Sequence, residues 1–148
     1  MKRLLPAFLI AVMALCLWPM QAMAAEQNVT YYSDGSYTIV ETIQQSSRAS
    51  KAVTGNKVSK HYDSDGNLKW EATLTGSFTY TGISATCTSA SANVTVYDSA
   101  WYVANKSTSK SGNVAYASIT MNRKVAGVTV KKVSADMSLA CSADGKLS

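Results

Sequence analysis

From Leu68 to Tyr80 the chain alternates strictly. Leu68, Trp70, Ala72, Leu74, Gly76, Phe78 and Tyr80 share one parity, and Lys69, Glu71, Thr73, Thr75, Ser77 and Thr79 fill the other. A period of two is that of a β-strand with one face buried and the other in water, whereas a helix would scatter the same apolar groups around its circumference. A strand of this length reaches roughly 43 Å at ~3.3 Å per residue, long for one sheet. Gly76 is therefore expected to bend or bulge the ribbon as it passes from one sheet or hairpin to the next.

Shorter versions of the same pattern predict further strands over residues 36–44, 57–62, 82–89, 93–103, 114–124 and 128–141. In the last of these Val133, Ala135, Met137, Leu139 and Cys141 share a face, which points Cys141 inward; in 82–89, Ile83, Ala85 and Cys87 do the same. Glu41 interrupts the Tyr37, Ile39 and Ile43 face, which suits a strand near an edge. Residues 26–32 read as a lead-in, 45–56 and 105–113 as polar loops, and 143–148 as a tail. Ser33-Asp34-Gly35, Asp63-Ser64-Asp65-Gly66 and Ala126-Gly127 read as turns. About seven to eight strands with no helical repeat between them predict an all-β antiparallel sandwich or flattened barrel.

Within residues 93–103 the parity is broken, because Val94 and Val96 lie on one face and Trp101 and Val103 on the other. Strict alternation would turn Tyr97 and Trp101 outward together as a platform for stacking sugar rings. A bulge near Asp98-Ser99 would instead put Trp101 in the core and leave Asp98 in water. Burying an indole is favourable by several kcal/mol, and burying an unpaired aspartate is costly, so the bulge is the expectation.

Residues 1–24 have the layout of a secretory signal: Lys2 and Arg3, an apolar run from 7 to 17, Pro19, and then Ala22-Met23-Ala24. The run is too short to span a bilayer, so no integral membrane segment is expected in the processed chain. Leu15 before Cys16 argues against lipidation there. Processing would leave residues 25–148 as one domain, with 20 Ser, 14 Thr and no Pro. The formal net charge of +5 falls to +3 once Lys2 and Arg3 are removed, too mild a surplus to argue for nucleic acid. Cys16 would leave with the signal. Cys87 and Cys141 would remain in an oxidising compartment, where one disulfide is expected, closing a loop of about 55 residues and stabilising by on the order of 4 kcal/mol.

Candidate chemistry is sparse. His61 is the one histidine, there is no GxSxG turn, and a hairpin-flanking position suggests a water-facing side chain, so no catalytic residue is assigned. An enzyme would need His61 beside a carboxylate. Asp63-Ser64-Asp65-Gly66-Asn67 resembles the start of a calcium loop, but its glycine stands fourth rather than sixth, and aspartate is expected in such a turn anyway. No metal or cofactor is assigned. Asn28, Asn93 and Asn105 begin N-x-Ser/Thr triplets, which a chain of this composition contains by chance. Arg123, Lys124, Lys131 and Lys132 flank the Ala126-Gly127 turn, so a hairpin would gather four positive charges that could attract an anionic cell-wall polymer or glycan. Arg48, Lys51, Lys57 and Lys60 form a second basic segment.

The segments GSFTYTG (76–82), ATCTSAS (85–91), LACSADGKLS (139–148) and SDGSYTIVETI (33–43) resemble a family of small secreted proteins from Gram-positive bacteria, mainly gut and soil Firmicutes, whose function is unknown. The resemblance implies secretion and paired cysteines, and brings no activity or ligand. The expected function is therefore that of a secreted, non-catalytic domain binding an extracellular or cell-surface polymer. The alternatives are a structural or adhesive protein-interaction domain and, further off, a secreted enzyme.

Overall fold

The computed structural model describes residues 27–45 and 51–148; the expected signal segment lies outside them. Eight antiparallel strands form two packed sheets. The first has the order β1 (Gln27–Tyr31), β2 (Tyr37–Gln45), β3 (Ala52–Tyr62), β4 (Leu68–Tyr80), β5 (Ala85–Val96). The second has the order β6 (Trp101–Ser111), β7 (Val114–Val125), β8 (Val128–Ala140). Every strand in a sheet pairs with its neighbour in sequence, so the connections are hairpins and only the β5–β6 turn passes between sheets.

The alternating stretch is β4, and it stays in one sheet for its whole length, paired with β3 on one side and β5 on the other. Gly76 is not a corner. It faces the core, and a Cβ there would come within 2.8 Å of the Phe78 ring and 3.2 Å of the Ala115 Cβ. The bulge lies on β5 instead, where Thr88 is the extra residue between the Ser77–Ser89 and Phe78–Cys87 pairs. Gly76→Val is accordingly expected to destabilise by about 1–3 kcal/mol through overpacking against a buried ring, measurable by urea denaturation.

The core lies between β3–β5 and β7–β8. Trp70, Ala72, Leu74 and Phe78 pack against the inner parities of the other sheet: Ala115, Ala117, Ile119 and Met121 on β7, and Val133, Ala135, Met137 and Leu139 on β8. Cys141 faces inward as the pattern predicts. The C-terminal residues are not a loose tail. Ala140 and Ser148 exchange two backbone hydrogen bonds, and Leu147 is buried beside Gly55, whose missing side chain leaves room for it. Residues 52–56 of the expected loop belong to β3.

The other expected loop, 105–113, is also mostly strand. β6 runs from Trp101 to Ser111 as an edge with nearly every side chain exposed, so no apolar parity marks it. Its lysines seal the seam against β5: Lys110 Nζ donates to the Thr88 carbonyl at 2.6 Å and Lys106 Nζ to the Ala92 carbonyl at 3.3 Å. Lysines at an edge also discourage pairing with another chain. The five-stranded sheet overhangs the three-stranded one, leaving Asn28, Thr30, Val40, Thr42 and Lys57 of its inner face beside β8 as an open polar groove.

The expected Cys87–Cys141 bridge is not formed in this structure. Both residues are buried free thiols, each turned to a nearby carbonyl: Cys87 Sγ to Ser89 O at 3.3 Å and Cys141 Sγ to Ser142 O at 3.4 Å. Their backbones are nevertheless anchored to one turn, since the Cys87 amide donates to Gly112 O and the Cys141 amide to Asn113 O. Burial raises both thiol pKa values.

Candidate functional site

At the opposite end of the sandwich from that turn, the β1–β2 turn, the β3–β4 turn, the β5–β6 crossing and the β7–β8 hairpin surround a cavity of about 360 Å3. Its lining includes Ser36, His61, Lys69, Trp101, Arg123 and Lys131, together with Asp34 and Asp63.

The β5–β6 crossing sets the position of Trp101. The Tyr97 and Asp98 amides both donate to Lys69 O, the Trp101 amide donates to Asp98 O at 2.9 Å, and the Asp98 carboxylate accepts from the Ala100 amide at 2.9 Å. The break in parity is thus a full turn between two sheets rather than a one-residue bulge. Its consequence for Trp101 is the expected one: the indole is 5% exposed. Val96 and Val103 do not join the core and stay more than a third exposed. Tyr97 remains exposed, but with Trp101 buried the two do not form a flat platform.

His61 is not a water-facing residue. It lies opposite Trp70 in the β3–β4 pairing, is 1% exposed, stacks on the Trp70 ring at 5.0–5.6 Å from its other aromatic neighbours Trp101 and Tyr32, and shares a 3.0 Å hydrogen bond between Nδ1 and Thr38 Oγ1. Burial first, and then the Lys131 charge, lower its pKa from 6.5 to about 4, so the imidazole is neutral at pH 7; Asp34 and Asp63 pull the other way. Its partner is a hydroxyl, and among the described residues it has no hydrogen bond to a carboxylate. A histidine so held is a wall of the cavity and a rigid support for Trp101.

The charges around the cavity are unequally satisfied. Lys131 Nζ donates to Asp34 Oδ2 and Ser36 Oγ, both at 2.5 Å, and lies 5.0 Å from the centre of the Tyr32 ring. Lys69 bridges Asp63 at 2.8 Å and Asp98 at 3.3 Å. The Lys131 hydrogen bond holds the Asp34 carboxyl well below the usual carboxylate range, and the Lys69 hydrogen bond does the same for Asp63. Asp63 also accepts from the Asp65 and Asn67 amides, so its carboxylate is committed to its own turn and to Lys69. Arg123 and Lys132 make no ion pair among the described residues. Lys124 has none either and lies 4.5 Å from the centre of the Tyr102 ring. Three of the four hairpin cations are thus without a carboxylate partner among those residues, and only Lys131 is neutralised.

Of the residues singled out by sequence, the fold brings Trp101, Arg123 and Lys131 to one cavity, with Lys124 and Lys132 on the adjoining hairpin and Tyr97 at the neighbouring strand end. Cys87 and Cys141 lie at the far end. Sequence reasoning missed Ser36, Asp34 and His61, and also a row of tyrosines on the outer face of the first sheet. There Tyr37 and Tyr62 stack at 5.0 Å, and Tyr31 follows at 5.7 Å, 75% exposed at the edge. The available signal was positional: each of these tyrosines ends a strand beside a turn, where cross-strand partners line up.

Comparison of the chain with protein-family models, with curated proteins and with solved structures finds no match. What the protein does must be inferred from the chemistry of this end of the sandwich.

Proposed function

We propose that the protein is a secreted, non-catalytic β-sandwich domain that binds an anionic extracellular or cell-surface polymer at the cavity end. The observation that carries this reading is the concentration of positive charge without a carboxylate partner among the described residues: Arg123, Lys124 and Lys132 on one hairpin, with Arg123 lining the cavity. Clustered charge of one sign raises the local concentration of an oppositely charged chain and speeds its capture. A fixed array of heparin, polygalacturonate, a phosphate-linked polymer and neutral dextran tests it. The processed protein should be retained by anionic members in a salt-sensitive way, and equal retention on dextran would refute the role of charge.

Secretion and oxidation belong to the same proposal. Export after Ala24 would deliver Cys87 on β5 and Cys141 just after β8, both anchored to the same turn, to an oxidising compartment as a bridging pair. Because burial alone shields both thiols, the informative assay is alkylation of the exported protein in denaturant without reductant. Neither cysteine should be labelled, and Cys141→Ser should lower stability by about 2–4 kcal/mol. Full labelling would show that the thiols stay free.

A further inference from the structure

The β7–β8 hairpin extends past the core, and its tip is unlike the polar Ser33-Asp34-Gly35 and Ser64-Asp65-Gly66 turns at the same end. Val125, Val128 and Val130 are 48%, 64% and 54% exposed. Val125 and Val128 are paired across the strands, and Val130 is the extra residue of a bulge between the Lys124–Thr129 and Arg123–Lys131 pairs. The two turn residues both have positive φ, 50° at Ala126 and 81° at Gly127. The first of these positions favours Asn, Asp or Gly, and the chain instead keeps an alanine there at a cost in backbone strain. The whole tip, Val125-Ala126-Gly127-Val128, is therefore apolar and exposed. Arg123 and Lys124 precede it in sequence, and Lys131 and Lys132 follow it.

A hydrated polymer would engage the basic collar and leave the apolar tip unused, whereas an anionic amphipathic surface would engage both. There the valines enter the headgroup–acyl boundary while Arg123, Lys124 and Lys132 meet phosphate, each near-surface Lys or Arg adding attraction; Lys131 stays with Asp34. We propose that this hairpin docks on a lipid surface bearing anionic headgroups. The inference rests on the same positive charge as the polymer reading and goes beyond it, adding an anionic bilayer as a partner that the apolar tip would engage.

The test is co-sedimentation of the processed chain with vesicles of phosphatidylcholine alone and of phosphatidylcholine mixed with phosphatidylglycerol, run beside retention on soluble heparin. The wild type should sediment with the mixed vesicles only. The double variant Val125→Ser/Val128→Ser keeps every charge and removes only exposed apolar groups, so its melting curve should match the wild type. Its partition onto the mixed vesicles should fall about tenfold while heparin retention is unchanged. Unchanged vesicle partition in that variant would overturn the inference. So would binding to heparin without binding to vesicles, which would leave the polymer reading standing. Binding to neither would overturn both readings, and equal sedimentation with phosphatidylcholine alone would remove the role of the basic collar.

Discussion

Trp70→Ala is expected to remove about 3–5 kcal/mol of stability, a large share of the roughly 5–15 kcal/mol typical of a domain. Trp70 is fully buried on β4, and its ring supports both His61 at 5.3 Å and Trp101 at 6.3 Å. Truncation would leave a cavity between the sheets and loosen the wall of the candidate site at once. Trp70→Phe should be much milder, under about 2 kcal/mol, because the indole Nε1 has no hydrogen-bond partner among the described residues. Urea midpoints of the two variants check this. Equal losses would contradict this account, in which the cost scales with the buried ring volume removed.

Acidification should weaken the fold well before the carboxylates titrate, and His61 should be the cause. Its native pKa is lowered to about 4 from 6.5. As pH falls below 6.5 the unfolded chain takes up a proton that the native state refuses, so stability declines through that window until the native imidazole also protonates near pH 4. The total is on the order of 3 kcal/mol. Asp34 and Asp63, whose native pKa values are lowered by Lys131 and Lys69, lose their contribution only at lower pH. His61→Phe keeps an aromatic ring against Trp70, and Thr38 keeps its contact with the Tyr32 hydroxyl at 3.3 Å. In that variant the slope of stability between pH 6.5 and about 5.5 should vanish, while the slope at lower pH remains, where Glu41, held low by Lys60, and the aspartates protonate. A wild-type profile that is flat from pH 7 to 4.5 would show that His61 titrates normally.

Strands buried on one face were legible in the sequence, and strands without a buried face were not. β4 and β8 carry a clean alternation because each lies between the sheets along most of its length. β6 and β1 are edges with little or no buried surface, so their residues obey only turn and solubility rules and read as loop. Gly76 looked like a bend because a strand interior rarely keeps a glycine, but the Phe78 ring two residues on occupies the missing Cβ. At the candidate site the same logic applies. The basic residues flanking Ala126-Gly127 were found because one hairpin brings them together locally. Trp101 was placed in the core because the alternative buried Asp98. His61 was missed because its burial comes from three aromatic neighbours on β1–β2, β4 and β6, and no local pattern encodes that meeting.

The measurement that bears most directly on the proposed role is the affinity of residues 25–148 for one soluble anionic polymer across a salt series. Wild type is compared with the double variant Arg123→Glu/Lys132→Glu. Both side chains are exposed and unpaired among the described residues, so the variant should fold normally. The predicted result is an affinity that falls steadily with salt and is at least about tenfold weaker in the variant at low salt. Equal affinities for the two proteins, or binding that salt does not move, would contradict it.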